Sequence, residues 1–197
     1  MERKPTEVRK EEIKKAVLKI IGKEGIKSVS TKNLAKYTGL SEGAIFRHFK
    51  SKKDIITSII DDVGTDLIGA LKAIAHSDIE PAERLFRFLC HTIKYLTENN
   101  GITILLFTEA SHTNDPEMMD KLNHIFNSQR ELVSTILKAG IDKGIWDKHI
   151  PIEVVTQLYM GIPITFNINL VLSKSKSHPK NFCKKMMSLF ERILLDK

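Results

Sequence analysis

Apolar residues recur at helical spacing along nearly the whole chain, and the strict alternation of a half-buried strand is almost absent. The pattern predicts an all-α protein of about nine helices. The first runs from about Thr6 to Gly22, with Ile13, Ala16, Val17, Ile20 and Ile21 on one stripe, and is ended by Gly22 and Gly25. Ser30 caps a short helix through Tyr37, broken by Gly39; Ser41 starts another through about Phe49. Ser51-Lys52-Lys53-Asp54 resembles a capping box and opens a long helix that buries Ile55, Ile56, Ile59, Ile60, Val63, Leu67, Leu71 and Ile74. Five more helices follow over about 80–98, 102–112, 115–139, 151–172 and 179–195. Pro81, Pro116, Pro151 and Pro179 each fit a first turn, where a missing N–H costs nothing. Pro163 lies inside the second-last helix and is expected to kink it. The run Ser173-Lys-Ser-Lys-Ser177 reads as the last interhelical loop, and no internal repeat is found.

Charge changes the picture. Residues 1–53 hold 15 Lys and Arg against 6 Asp and Glu, so this quarter carries +9 of a total of +7 and the remainder is slightly acidic. A basic module on a near-neutral body is the footprint of a nucleic-acid binder, although a solvated lysine-rich surface gives the same sum. Polar residues interrupt every stretch of 18, so no membrane span is expected. The charged opening lacks the apolar core of a signal peptide, and Cys90 and Cys183 form no framework of disulfides, so a cytoplasmic location is expected.

Residues 31–50 supply the candidate chemistry. A helix-turn-helix needs a small residue where its helices pack, a residue tolerant of positive φ in the turn, and an apolar residue returning to the core. Ala35, Gly39 and Ile45 meet these needs in register, with Leu34 and Leu40 beside them. On the wheel of residues 41–49, Ala44, Ile45 and His48 lean toward the core, while Glu42, Gly43, Phe46 and Arg47 share the opposite face. An exposed Phe46 beside Arg47 fits a face that enters a major groove.

The stretch TGLSEGAIFRHFKSKKDI within residues 13–56 resembles the N-terminal domain of tetracycline-repressor-type (TetR family) regulators, over roughly a quarter of the chain. The resemblance implies a DNA-binding domain over residues 1–50 and an effector-binding and dimerisation domain over 51–197. It implies a homodimer joined through helices of about 151–172 and 179–195, reading a palindromic double-stranded operator. By position, Thr31 would hold a phosphate and Lys32 would reach a base edge or a phosphate. Ser41 would count among the DNA-binding residues, Glu42, Gly43 and Ala44 would face the bases, Phe46 and His48 would lie along the sugar-phosphate backbone, and Lys52 would pair with a phosphate. Phe46 stands where the family often has Tyr, which removes a hydroxyl contact. Glu42 can only accept, and Arg47 is expected to carry more of the readout. The bland readings stay open: His48 as a packed histidine, and Lys50, Lys52 and Lys53 as solvated charges.

For an effector, the expected lining is Phe86, Leu89, Ile93, Leu105, Phe107, Phe126, Tyr159 and Phe166, with Thr103, Asn123 and Asn167 as polar handles. The mix points to a small hydrophobic or amphipathic effector, against the alternative that these residues are ordinary core. The wide apolar stripes of the last two helices point to a subunit interface. Glu109-Ala-Ser-His112 has the Glu-x-x-His spacing of di-iron bundles but occurs once, and no phosphate loop, GxSxG or HExxH motif is present, so no enzyme, metal or cofactor is expected. The expected function is a ligand-responsive DNA-binding regulator, a repressor. The alternatives are a helical carrier or enzyme with a basic end and a non-specific architectural DNA protein.

Overall fold

The computed structural model describes residues 5–173 and 181–195, and among these there is no strand. Nine helices follow one another: α1 (Thr6–Glu24), α2 (Thr31–Thr38), α3 (Glu42–Phe46), α4, α5 (Pro81–Glu98), α6 (Ile102–Thr113), α7 (Pro116–Asp142), α8 (Ile152–Ser173) and α9 (Phe182–Leu195). Helix α4 opens at Lys52–Val63, widens into a π turn over Gly64–Ile68, and closes over Gly69–Ala75. The expected role of Pro179 and the loop after Ser173 fall outside the described residues.

Several boundaries differ from expectation for identifiable reasons. Gly22 does not end α1; it sits within the helix, where an added Cβ would come 3.5 Å from Asn100, and Gly25 ends it at φ +84. Helix α3 stops at Phe46 rather than near Phe49, because the chain must turn before Ser51 caps α4. The π turn in α4 is invisible to a periodicity reading, since the inward residues Val63, Leu67 and Leu71 keep their spacing through it. There the helix lies close to α7: a Cβ on Gly64 would come 3.6 Å from the Ile125 side chain. Helix α7 runs three residues longer than expected, until Gly144 takes φ +69.

Helices α1–α3 pack around Ile13, Val17, Ile20, Leu34, Ile45 and Phe49, and the first half of α4 closes the same cluster with Ile55 and Ile56. Lys14, with only 9% of its side chain exposed, ties α1 to α4 through Asp62 at 2.6 Å and also pairs with Glu11. Burial disfavours its charge, but hydrogen bonds to Asp62 and Glu11 outweigh that and hold its pKa above the ordinary lysine value.

Helices α5, α7 and α8 continue the same core. Tyr159, fully buried, donates to the Leu85 carbonyl at 2.5 Å and stands edge-on to Phe88 and Phe190. Where α6 begins, Gly101 adopts φ +69 against α8; a Cβ there would lie 2.7 Å from Val171. The buried Asn167 amide donates to the Gly101 carbonyl and accepts from the Thr103 hydroxyl, stitching α8 to α6. At the end of α7, Gly140 is pressed against the Trp146 ring, 2.1 Å from where a Cβ would stand.

Helix α8 is long and apolar enough to cross a membrane, despite its polar interruptions, and 44% of its most apolar stretch is buried within the bundle. It runs on through the buried Pro163. Its outer face leaves Val154, Leu158, Ile164, Ile168 and Leu172 exposed, and α9 leaves Leu189, Ile193 and Leu195 exposed.

Candidate nucleic-acid interface

Four polar residues set the frame of the basic end. Ser30 caps α2 by accepting from the Asn33 N–H at 3.2 Å, and Ser41 caps α3 by accepting from the Ala44 N–H at 3.2 Å. Ser51 caps α4 through the Asp54 N–H at 3.1 Å. Between α2 and α3, Gly39 takes the left-handed conformation at φ +70 and its N–H returns to Ala35 at 2.9 Å. Thr38 steadies the turn by donating to the Leu34 carbonyl and accepting from the Leu40 N–H. The geometry is two short helices hinged at a glycine.

Ile45 and Phe49 anchor α3 in the core at 1% and 4% exposure, which forces the other face outward. Glu42, Gly43, Phe46 and Arg47 are exposed, and Phe46 is half open to solvent. Ala44 and His48 lie at the margin, half-buried, and the His48 Nδ1 is enclosed with no hydrogen-bond partner among the described residues. Lys32 is exposed on α2. Thr31, Phe46, Ser51 and Lys52 line one small crevice where α2, α3 and α4 meet, so residues from three helices border one spot on the surface.

Besides the Ser51 cap, two of these residues already have side-chain partners. The Thr31 hydroxyl donates to Glu42 at 2.7 Å. Lys52 reaches across to Glu109 of α6 at 3.1 Å, and its neighbour Lys53 pairs with Asp115 at 2.8 Å and Glu117 at 3.1 Å. Hydrogen bonds from Lys53 and from the Met118 N–H hold the Asp115 carboxyl below its usual range, while Asp115 caps α7. The two lysines therefore join the start of α4 to α6 and α7. Glu109, singled out in the sequence for its spacing to His112, instead faces a lysine 57 residues away.

Sequence reasoning missed a second brace. Glu24, at the end of α1, accepts from the Tyr37 hydroxyl at 2.6 Å and from Asn33 at 2.8 Å. These bonds lower the Glu24 pKa and raise that of Tyr37. The only trace in the sequence is a Glu at a helix end, which is too common to point anywhere.

The expected effector residues separate into groups. Leu89 and Ile93 of α5 and Tyr159 and Phe166 of α8 are buried, with Phe86 of α5 half-buried. Phe166 packs against Phe182 at 5.1 Å between ring centres. Thr103 and Asn167 bond to each other. The structure does not bring Phe107 or Asn123 to them: Phe107 is 49% exposed on α6, and Asn123 lies on the outer side of α7, bonded to Asn127. Leu105 and Phe126 are partly buried against the core.

Comparison with known proteins converges on one family. Residues 13–59 match the family described as bacterial regulatory proteins, tetR family, and residues 63–192 match the C-terminal region of YsiA-like proteins. The nucleoid occlusion factor SlmA of Vibrio campbellii is 30% identical over 148 residues, 74% of each chain. Among solved structures, the TetR family transcriptional regulator PfmR of Thermus thermophilus superposes with a TM-score of 0.75 at 21% identity, over 92% of this chain and 96% of that one. The ketosteroid regulator KstR2 of Mycobacterium tuberculosis gives 0.79 at 16% identity, covering 96% of each chain. FadR of Bacillus subtilis, solved with stearoyl-CoA, gives 0.72 at 19% identity, over 93% and 97%.

Proposed function

This chain belongs to the tetR family of bacterial regulatory proteins and is a DNA-binding transcriptional regulator rather than an enzyme; on that premise we propose that it is a cytoplasmic repressor, released from a palindromic operator by a small hydrophobic or amphipathic effector. The observation that carries this reading is the outward face of α3, where Phe46 and Arg47 stand exposed on a helix anchored from behind by Ile45. A solvated surface has no use for a half-open phenylalanine there, whereas a groove wall does.

Residues 1–50 act as the reading head and the remainder as the sensor and dimer body. Arg47 and Lys32 approach base edges; Phe46, His48 and Lys52 lie along the sugar-phosphate backbone. Two heads joined through α8 and α9 meet adjacent major grooves about 34 Å apart. Effector enters between α5, α6 and α8, and favours an arrangement in which the heads no longer match that spacing. The Lys52–Glu109 and Lys53–Asp115 pairs supply a physical route for this, because they tie the start of α4 directly to the sensor helices. The FadR neighbour, solved with stearoyl-CoA, makes acyl-CoA thioesters the first compounds to try.

Selection of bound sites from a random DNA pool tests the reading. A palindrome with half-sites one helical turn apart is expected; retention of DNA with no common sequence would reduce the protein to a non-specific binder. Calorimetry with acyl-chain compounds, their CoA thioesters and aromatic compounds tests the effector, and tight binding only of a charged ligand with no acyl or aromatic part would count against the proposed class.

A second reading has one observation in its favour, the 30% identity to a nucleoid occlusion factor. Mapping bound sites across the chromosome separates the two. A few promoters support the repressor, and many sites away from promoters support occlusion.

A further inference from the structure

We infer that Glu42 is a further base-reading residue that sets specificity at one position of each half-site, accepting from the exocyclic amino group of a cytosine in the major groove, and that Thr31 positions it. The inference rests on the reading of α3 as the helix that enters that groove.

Glu42 opens α3 on its exposed face, next to Gly43. The space around Gly43 is informative. It has no positive φ, and an added Cβ would meet nothing within 4 Å. Neither backbone strain nor packing within the chain requires glycine there, and glycine in a helix is unfavourable by about 1 kcal/mol relative to alanine. What its missing side chain permits is close approach of the helix backbone to something outside the chain. A groove floor beside Gly43 brings the Glu42 carboxylate within reach of base edges.

A carboxylate can only accept. The major groove offers donors at cytosine N4 and adenine N6. Adenine places its acceptor N7 beside that donor, which repels a carboxylate and suits an amide instead. Cytosine presents the donor alone. The Thr31 hydroxyl bond to Oε2, 2.7 Å long, leaves Oε1 without a hydrogen-bond partner among the described residues and restricts the rotation of the side chain. That one hydroxyl hydrogen cannot serve a phosphate at the same time, so the phosphate role implied for Thr31 by resemblance gives way to a positioning role. Exposed Lys32 on α2 and Arg47 at the end of α3 offset the cost of bringing a negative group near DNA.

The test is site selection from random DNA with the full-length protein and three variants, with circular dichroism as the check on folding. The wild type should select cytosine at one position of each half-site. Glu42→Gln should move that position to adenine and leave the others unchanged. Glu42→Ala should make it degenerate, with operator affinity lowered about ten- to a hundredfold. Thr31→Val should weaken the cytosine preference about threefold at that position alone. If the wild type and Glu42→Gln select the same palindrome, the inference is wrong while the regulator reading stands. If the wild type selects no palindrome, both fall.

Discussion

Gly39 carries the hinge between α2 and α3 at φ +70, in open space. Gly39→Ala meets no clash, so its whole penalty is conformational, about 1–2 kcal/mol. Urea denaturation should read that loss, with operator affinity falling because α3 shifts on its anchor. Two cations on the same surface should behave differently. Arg47→Ala should cost about 1–3 kcal/mol at selected base positions, whereas Lys52→Ala should weaken binding to all sequences and lower the salt slope by about one. Filter binding across a salt series, on operator and on scrambled DNA, distinguishes them; equal loss of specificity from both would refute the assignment of faces. At this scale the sequence was most legible where the signal is local. Ala35, Gly39 and Ile45 lie within eleven positions, and the anchoring of Ile45 turns Phe46 and Arg47 outward. The partners of Lys52 and Thr31 were not legible, because nothing in the spacing of Lys52 and Glu109, or of Thr31 and Glu42, marks the two members of either pair.

Each capped helix begins with a side chain accepting from the N–H three residues on: Ser30, Ser41, Ser51 and Asp115. Ser41→Ala should destabilise the domain by about 1 kcal/mol and weaken operator binding, as measured by thermal melts and by gel shift. Asp115 adds a pH dependence. Lys53 and the Met118 N–H lower its pKa in the folded chain, so its contribution is complete above the unfolded carboxyl range and disappears as pH falls through the lowered value. Asp115→Asn should flatten the acid limb of a stability–pH curve; an unchanged limb would show that the cap and the Lys53 pair contribute nothing there. Helix order, the capping serines and most spans followed from apolar spacing and turn residues. The π turn did not, since Gly64 and Gly69 leave the inward rows intact, and the true end of α1 turned on which of two glycines took positive φ.

As a whole the molecule is one continuous core along which α4 runs, with a basic head at one end and exposed apolar residues on α8 and α9. Those residues match the surface a second subunit covers in the proposed dimer. Leu158→Glu together with Leu189→Glu should give a monomer in sedimentation, with affinity for the full palindrome reduced more than tenfold and affinity for an isolated half-site unchanged; a persistent dimer would place the interface elsewhere. The effector site was the least legible feature, because an apolar helix face reads the same whether it lines a cavity or fills a core; Leu89 and Ile93 are simply packed, while Phe107 points outward. One local contact has a practical use. Trp146 is the single tryptophan of the chain, sealed against Gly140, and the next residue, Asp147, donates its N–H to the Leu194 carbonyl of α9. Its emission is therefore a built-in optical gauge at the seam between the sensor and the helix proposed to join subunits. Titrating in candidate compounds while watching its wavelength follows that seam with no dye attached.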